Sequence, residues 1–152
     1  PLAFNPLLGL FKEKVEKGLN EGLPIKEIAK SIQDDKTFDA ARATLIARTE
    51  ATRVHGASTL ASMRDAKSFG VNVRKAWIAN RDDHTRVWHT QLLEKYGRKD
   101  QAIEPEEDFI IDAIDETGAL FGTFQGQNPG SFGDPAMDCN CRCTIKPVVI
   151  RR

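Results

Sequence analysis

The densest group of chemically capable side chains is Cys139-x-Cys141-x-Cys143, preceded along the chain by His84 and His89. On an extended chain the two-residue side-chain period throws all three sulfurs to one face. Two of them could then grip one soft cation while a histidine from the preceding helix completes the site. His89, Cys139, Cys141 and Cys143 are therefore the candidate zinc ligands, with zinc the one cofactor the sequence proposes. The plainer reading stands beside it: Cys-x-Cys is shorter than the usual structural zinc spacing, and free cysteines often serve as small apolar fillers. Three cysteines confined to residues 139–143 make a poor disulfide framework, which favours a reducing compartment.

A second chemistry would make His89 a general base, with Arg86 stabilising an oxyanion or phosphate and Asp83 orienting the imidazole. A cysteine nucleophile paired with His89 is the thiol version. Neither is distinguished by spacing from a half-buried histidine with a structural arginine beside it. His84 and His89 stand about 140° apart around a helix, so they do not make the i, i+4 pair of a zinc protease. There is no Gly-x-Ser-x-Gly elbow, no phosphate loop and no dinucleotide fingerprint.

The elements that must position these groups follow from periodicity. Residues 6–35 read as two short helices, one with Leu7, Leu8, Leu10, Phe11 and Val15 on its apolar face, the other with Ile25, Ile28, Ala29 and Ile32. Gly22-Leu23-Pro24 divides them, and residues 1–36 form a helical arm or cap. Thr37 or Asp39 caps a long helix reaching about Phe69, roughly 45 Å long, with Gly56 as its weak point. Its small residues Ala43, Ala47, Ala51, Val54, Ser58 and Ala61 form a stripe suited to close packing within the fold or against another subunit. Glu50 and Arg53 can pair one turn apart.

Residues 71–79 predict a strand with Val71, Val73, Lys75, Trp77 and Ala79 on one face. Asn80 to Asp83 then cap a helix that carries His84 and His89 and ends near Gly97. Residues 109–114 read as a short strand or a helical turn. Residues 117–138, rich in glycine and proline, read as a long loop with a hairpin around Leu120 to Phe124. Residues 141–150 read as a terminal strand in which Pro147 marks an edge. The fold class is α+β: N-terminal helices including one long helix, then a small mixed or antiparallel sheet with a helix and a long loop.

The whole chain has 152 residues and 40% hydrophobic content, enough for one core of ordinary domain size. No stretch is apolar enough to span a membrane, and no signal peptide is visible. The missing initiator Met implies removed residues or a piece of something longer. Lysine plus arginine equals aspartate plus glutamate at 22 each, so net charge offers no general attraction to nucleic acid. The charges are nonetheless segregated: residues 100–138 are acidic without a single base, while the segments on either side are basic. Such blocks suit either partners on different faces or attraction within the fold.

The ordered series Ala47-Arg48-Thr49-Glu50, Lys75-Ala76-Trp77 with Ala79, Asp83-His84-Thr85-Arg86-Val87-Trp88-His89, Asn128-Pro129-Gly130 with Gly133-Asp134-Pro135, and Asn140-Cys141-Arg142-Cys143 resembles the phage Mu F-like head morphogenesis family. The likeness covers about residues 40–147 and assigns 37–152 to that family's domain. It implies a structural minor capsid protein of a tailed phage or prophage. Portal protein, major capsid or scaffold protein, and phage DNA are the implied partners. Its place would be the virion or procapsid interior, after assembly in the bacterial host cytoplasm. Family positions fall on Arg48, Glu50, Trp77, Asp83, Arg86, His89, Asn140, Cys141, Arg142 and Cys143. Cys139 is extra to the family pattern, and Ser131-Phe132 separates glycine-proline elements that the family fuses. The alternatives are an effector enzyme of nuclease or ADP-ribosyltransferase type and a DNA-contacting ejection protein.

Overall fold

A computed structural model describes residues 6–33 and 39–151, apart from the side chains at 6–8 and 10. Thr37 and the side chains of Leu7, Leu8 and Leu10 lie outside the described residues. The chain is α+β. Helices α1 (Pro6–Asn20) and α2 (Ile25–Gln33) precede the long α3 (Ala40–Ser68), then come β1 (Val73–Ile78), α4 (Val87–Tyr96), β2 (Phe109–Ile114), β3 (Leu120–Gly126), the short α5 (Pro135–Asp138) and β4 (Thr144–Val149). A single turn of 3-10 helix spans Lys99–Gln101. No described helix is long and apolar enough to cross a membrane.

Asp39 starts α3 by accepting the Arg42 N–H at 2.8 Å, which satisfies one of the free amides of the first turn. The helix then serves two cores. Its first half lays Ala43 and Ala47 against Phe11, Val15, Ile28, Ala29 and Ile32 of α1 and α2. Its second half turns Leu60 and Met63 into a larger core built on Trp77, Leu92, Phe109, Met137 and Ile145. The small-residue stripe therefore packs inside the fold at Ala43 and Ala47, whereas Ser58 and Ala61 are exposed.

The strands form two antiparallel pairs, β1 with β4 and β2 with β3. Lys75 faces Pro147 across the first pair, but its backbone N–H and C=O bond Ile103 on the opposite side. Pro147 thus occupies a position where no ladder N–H is required. The second pair revises the long loop: residues 120–126 are a strand, and the irregular stretch narrows to 127–134 before Asp134 caps α5 through the Ala136 N–H. Residues 109–114 are a strand rather than a helical turn. α4 starts at Val87, later than its sequence predicts, because Asp82 Oδ1 accepts both the His84 N–H and the Thr85 hydroxyl and closes a turn there. The last strand likewise starts at Thr144, so all three cysteines lie outside it.

Candidate functional site

The middle of α3 forms the floor of the site. Thr49 is buried; its hydroxyl donates to the Leu45 carbonyl and accepts the Asn140 N–H at 2.9 Å. One turn on, the Thr52 hydroxyl donates to the Cys141 carbonyl at 2.6 Å, and His55 Nε2 lies 3.1 Å from the Thr144 hydroxyl. Thr49, Thr52 and His55 fall on one face because three- and four-residue steps return to the same side of a helix. They hold the backbone of residues 140 and 141 and the side chain of Thr144 along that face.

The residue 128–130 turn is held on the same helix. Arg53 Nε donates to the Gly130 carbonyl at 3.0 Å while its Nη1 pairs with Glu50 at 2.7 Å. Gly130 has φ +85, and a Cβ there would sit 2.9 Å from the Arg53 Cα. Only glycine meets both conditions cheaply. The other end of the loop is tied by buried Asp138, which accepts the N–H groups of Phe132 and Gly133 at 3.1 and 2.8 Å.

Above this floor lies His89, 3% exposed, on α4. Its Nδ1 is 3.2 Å from Cys143 Sγ and 3.6 Å from Cys141 Sγ. Trp77, fully buried, packs edge-on against the imidazole with ring centres 6.1 Å apart. Among the described residues, His89 Nε2 is buried without a hydrogen-bond partner. Cys141 is pulled down to about 5, chiefly by its hydrogen bond with Cys143 and then, against burial, by His89. Cys143 is pushed up, first by the Cys141 sulfur and next by burial.

The structure brings His89, Cys141 and Cys143 into one buried group whose ligand atoms lie within 4.8 Å of one another. Cys139 is not in that group. It caps the end of α5, and its carbonyl accepts from Arg86 Nη2 at 2.7 Å. The three sulfurs part company because residues 139–143 are not an extended strand: Asn140 has φ +53 and turns the chain between Cys139 and Cys141.

The remaining positions are scattered by role. Arg48 is exposed, and so is Asp83. The neighbouring Asp82 makes the local bonds, including a fork with Arg142, whose Nη1 donates to Oδ2 at 2.7 Å. That guanidinium holds the Asp82 carboxyl well below the usual carboxylate range. Asp82 was legible as part of the Asn80 to Asp83 turn and cap segment, but its fork with Arg142, sixty residues on, was not. Thr49 and Thr52 carry no sequence signal beyond lying inside the Arg48-Thr49-Glu50 neighbourhood. Arg86 is bonded to the Cys139 carbonyl, and His89 Nδ1 lies against two sulfurs.

A family model described as Phage Mu protein F like protein matches residues 10–146. The chain belongs to that family. Within it lie the α3 floor, the histidine and the cysteine loop, so the Mu F-like region and the geometry above coincide. The chain is 35% identical over 132 residues to the "NAD(+)--arginine ADP-ribosyltransferase EFV" of Enterococcus faecalis, covering 87% of this chain and 24% of that protein. It is 30% identical over 135 residues to the "Minor head protein GP7" of Bacillus phage SPP1, covering 89% of this chain and 39% of that one. The chain therefore spans well under half the length of either relative. No solved structure matches it.

Proposed function

We propose that the chain is a structural head module of a tailed phage or prophage, acting by binding other head components and not by turnover. The observation that carries this reading is membership of the Mu F-like family together with the likeness to a phage minor head protein. The local chemistry agrees with it. The threonines and Arg53 of α3 spend their bonds on fixing loops, and His89 is closed off behind two sulfurs. Such an arrangement supports a stiff building block. Portal protein, major capsid or scaffold protein are the partners this role calls for, in the virion or procapsid interior after assembly in the host cytoplasm.

The ADP-ribosyltransferase name is the second reading. The segment shared with that enzyme is under a quarter of its length at 24%, and a similar segment recurs in a head protein. A module common to both is more economically a head module joined to an enzyme than the enzyme itself. DNA contact is the third, and the balanced total charge gives it no general support.

Co-expression of the chain with the portal, capsid and scaffold proteins of its own phage tests the reading. The expected result is stable co-purification with at least one of them. Failure to associate with any, together with NAD turnover that His89→Ala and Arg86→Ala abolish, would move the assignment to an enzyme. A DNA-binding titration whose affinity falls steeply with salt would favour the ejection role.

A further inference from the structure

His89 Nδ1 and the sulfurs of Cys141 and Cys143 lie within 4.8 Å of one another in the buried interior. In a tetrahedral zinc site, with Zn–N about 2.0 Å and Zn–S about 2.3 Å, the nitrogen and each sulfur stand roughly 3.5 Å apart. The separations here are 3.2 and 3.6 Å. A shared proton accounts for one pair of these atoms at a time. Both nitrogen–sulfur separations are close to the edge of a coordination tetrahedron, and all three donor atoms lie within 4.8 Å of one another.

The surroundings point the same way. The Cys143 backbone N–H reaches Cys141 Sγ at 3.4 Å, the kind of amide-to-sulfur contact that favours a thiolate. Thr52 fixes the Cys141 carbonyl from α3, so the loop presents its sulfurs from a held backbone. Two thiolates and a divalent cation sum to zero, which suits a cluster packed into the same apolar core as Trp77, Leu92 and Met137. Beside the group is a small cavity of about 10 Å³, bordered by His84, Thr85, Arg86, Asn140 and Arg142. It has room for about one water molecule.

We propose that His89, Cys141 and Cys143 bind one soft divalent cation of the zinc class through one imidazole nitrogen and two thiolates, with a water molecule in the fourth position. Binding replaces water ligands of the hydrated cation, which leave to solvent, by two metal–sulfur bonds and one metal–nitrogen bond, one water being kept. Any proton still on a thiol leaves to solvent, and no electron is transferred. Cys139, outside the group, takes no part as a ligand.

Elemental mass spectrometry of the purified full chain should find zinc at one ion per chain. After chelation, cobalt(II) added to the reduced chain should give sulfur-to-cobalt charge-transfer bands that saturate at one equivalent. This measurement uses the unaltered protein, so it does not depend on any variant folding. Cys143→Ser and His89→Ala should each weaken cobalt binding by about tenfold or more, whereas Cys139→Ser should leave it unchanged. In the metal-loaded chain Cys141 and Cys143 should resist a thiol reagent until chelator is added. Absence of the charge-transfer bands in the unaltered chain would overturn the proposal. So would Cys139→Ser abolishing binding that Cys143→Ser retains.

Discussion

Lys75 is the residue whose environment departs most from what its type predicts. The strand pattern puts it on the face of Val73 and Trp77, but nothing in its neighbours along the chain says that an ammonium will be fully buried. It is held by two backbone carbonyls, Pro105 at 3.1 Å and Gln127 at 2.8 Å, and lies 4.9 Å from the centre of the Phe109 ring. Burial is the main influence and draws its pKa from 10.5 down to about 8, against the pull of Asp108. In that window the unfolded chain keeps a proton that the folded chain releases, so stability rises with pH from about 8 to 10.5. Urea unfolding followed by tryptophan fluorescence should therefore show a gain on the order of 1 to 3 kcal/mol across this range. Lys75→Met removes the titrating group and should flatten the rise, while lowering stability at every pH by leaving two carbonyls unpaired. The convergence of Cys141, Cys143 and His89 was legible in residue type and order. The exclusion of Cys139 was not, because it depends on the left-handed turn at Asn140, and a single asparagine does not announce one.

At the scale of elements, α3 was the easiest to read and β3 the hardest. Asp39, the glycine exit after Phe69 and an uninterrupted helical pattern define α3 from the sequence. β3 contains Gly122 and Gly126 and few β-branched residues, so its strand character comes from pairing with β2 and not from propensity. Gly56 shows how the helix is used. Within a helix it looks like a flaw, since alanine would add about 1 kcal/mol of propensity. In the fold, a Cβ at this position would lie 2.6 Å from Asn128 Nδ2 and 2.9 Å from the Pro129 carbonyl. Overpacking of this kind costs roughly 1 to 3 kcal/mol and outweighs the propensity gain. Gly56→Ala should lower the melting temperature, and amide exchange should quicken around residues 128–133 first.

Among the described residues one long helix joins the two larger cores, and the segregated charges meet in part within the fold. Lys67 pairs with Glu104 at 2.8 Å and Glu106 at 2.7 Å, and Arg74 reaches Glu104 at 3.1 Å, so part of the acidic block lies against α3 and β1. Attraction inside the fold accounts for these charges. Both tryptophans, Trp77 and Trp88, belong to the larger core, which lets the two cores be followed separately. Ile32→Ala, at a fully buried position in the smaller core, removes packing worth about 2 to 5 kcal/mol. Helical circular dichroism should then begin to melt at a lower temperature while the tryptophan transition stays nearly in place. A single coincident transition, lowered for both signals, would show that α3 couples the cores into one cooperative unit. The bonds from α3 to residues 140–144 also impose a schedule on synthesis. Thr49 and Asn140 are 91 positions apart, and Thr52 and Cys141 are 89 apart. Long separations of this kind make folding slow, and a nascent chain still on the ribosome exposes the α3 face and the β1 edge until β4 has emerged. Only a chain translated through β4 can complete the body, so a prematurely stopped product would not display the surface that forms when it closes.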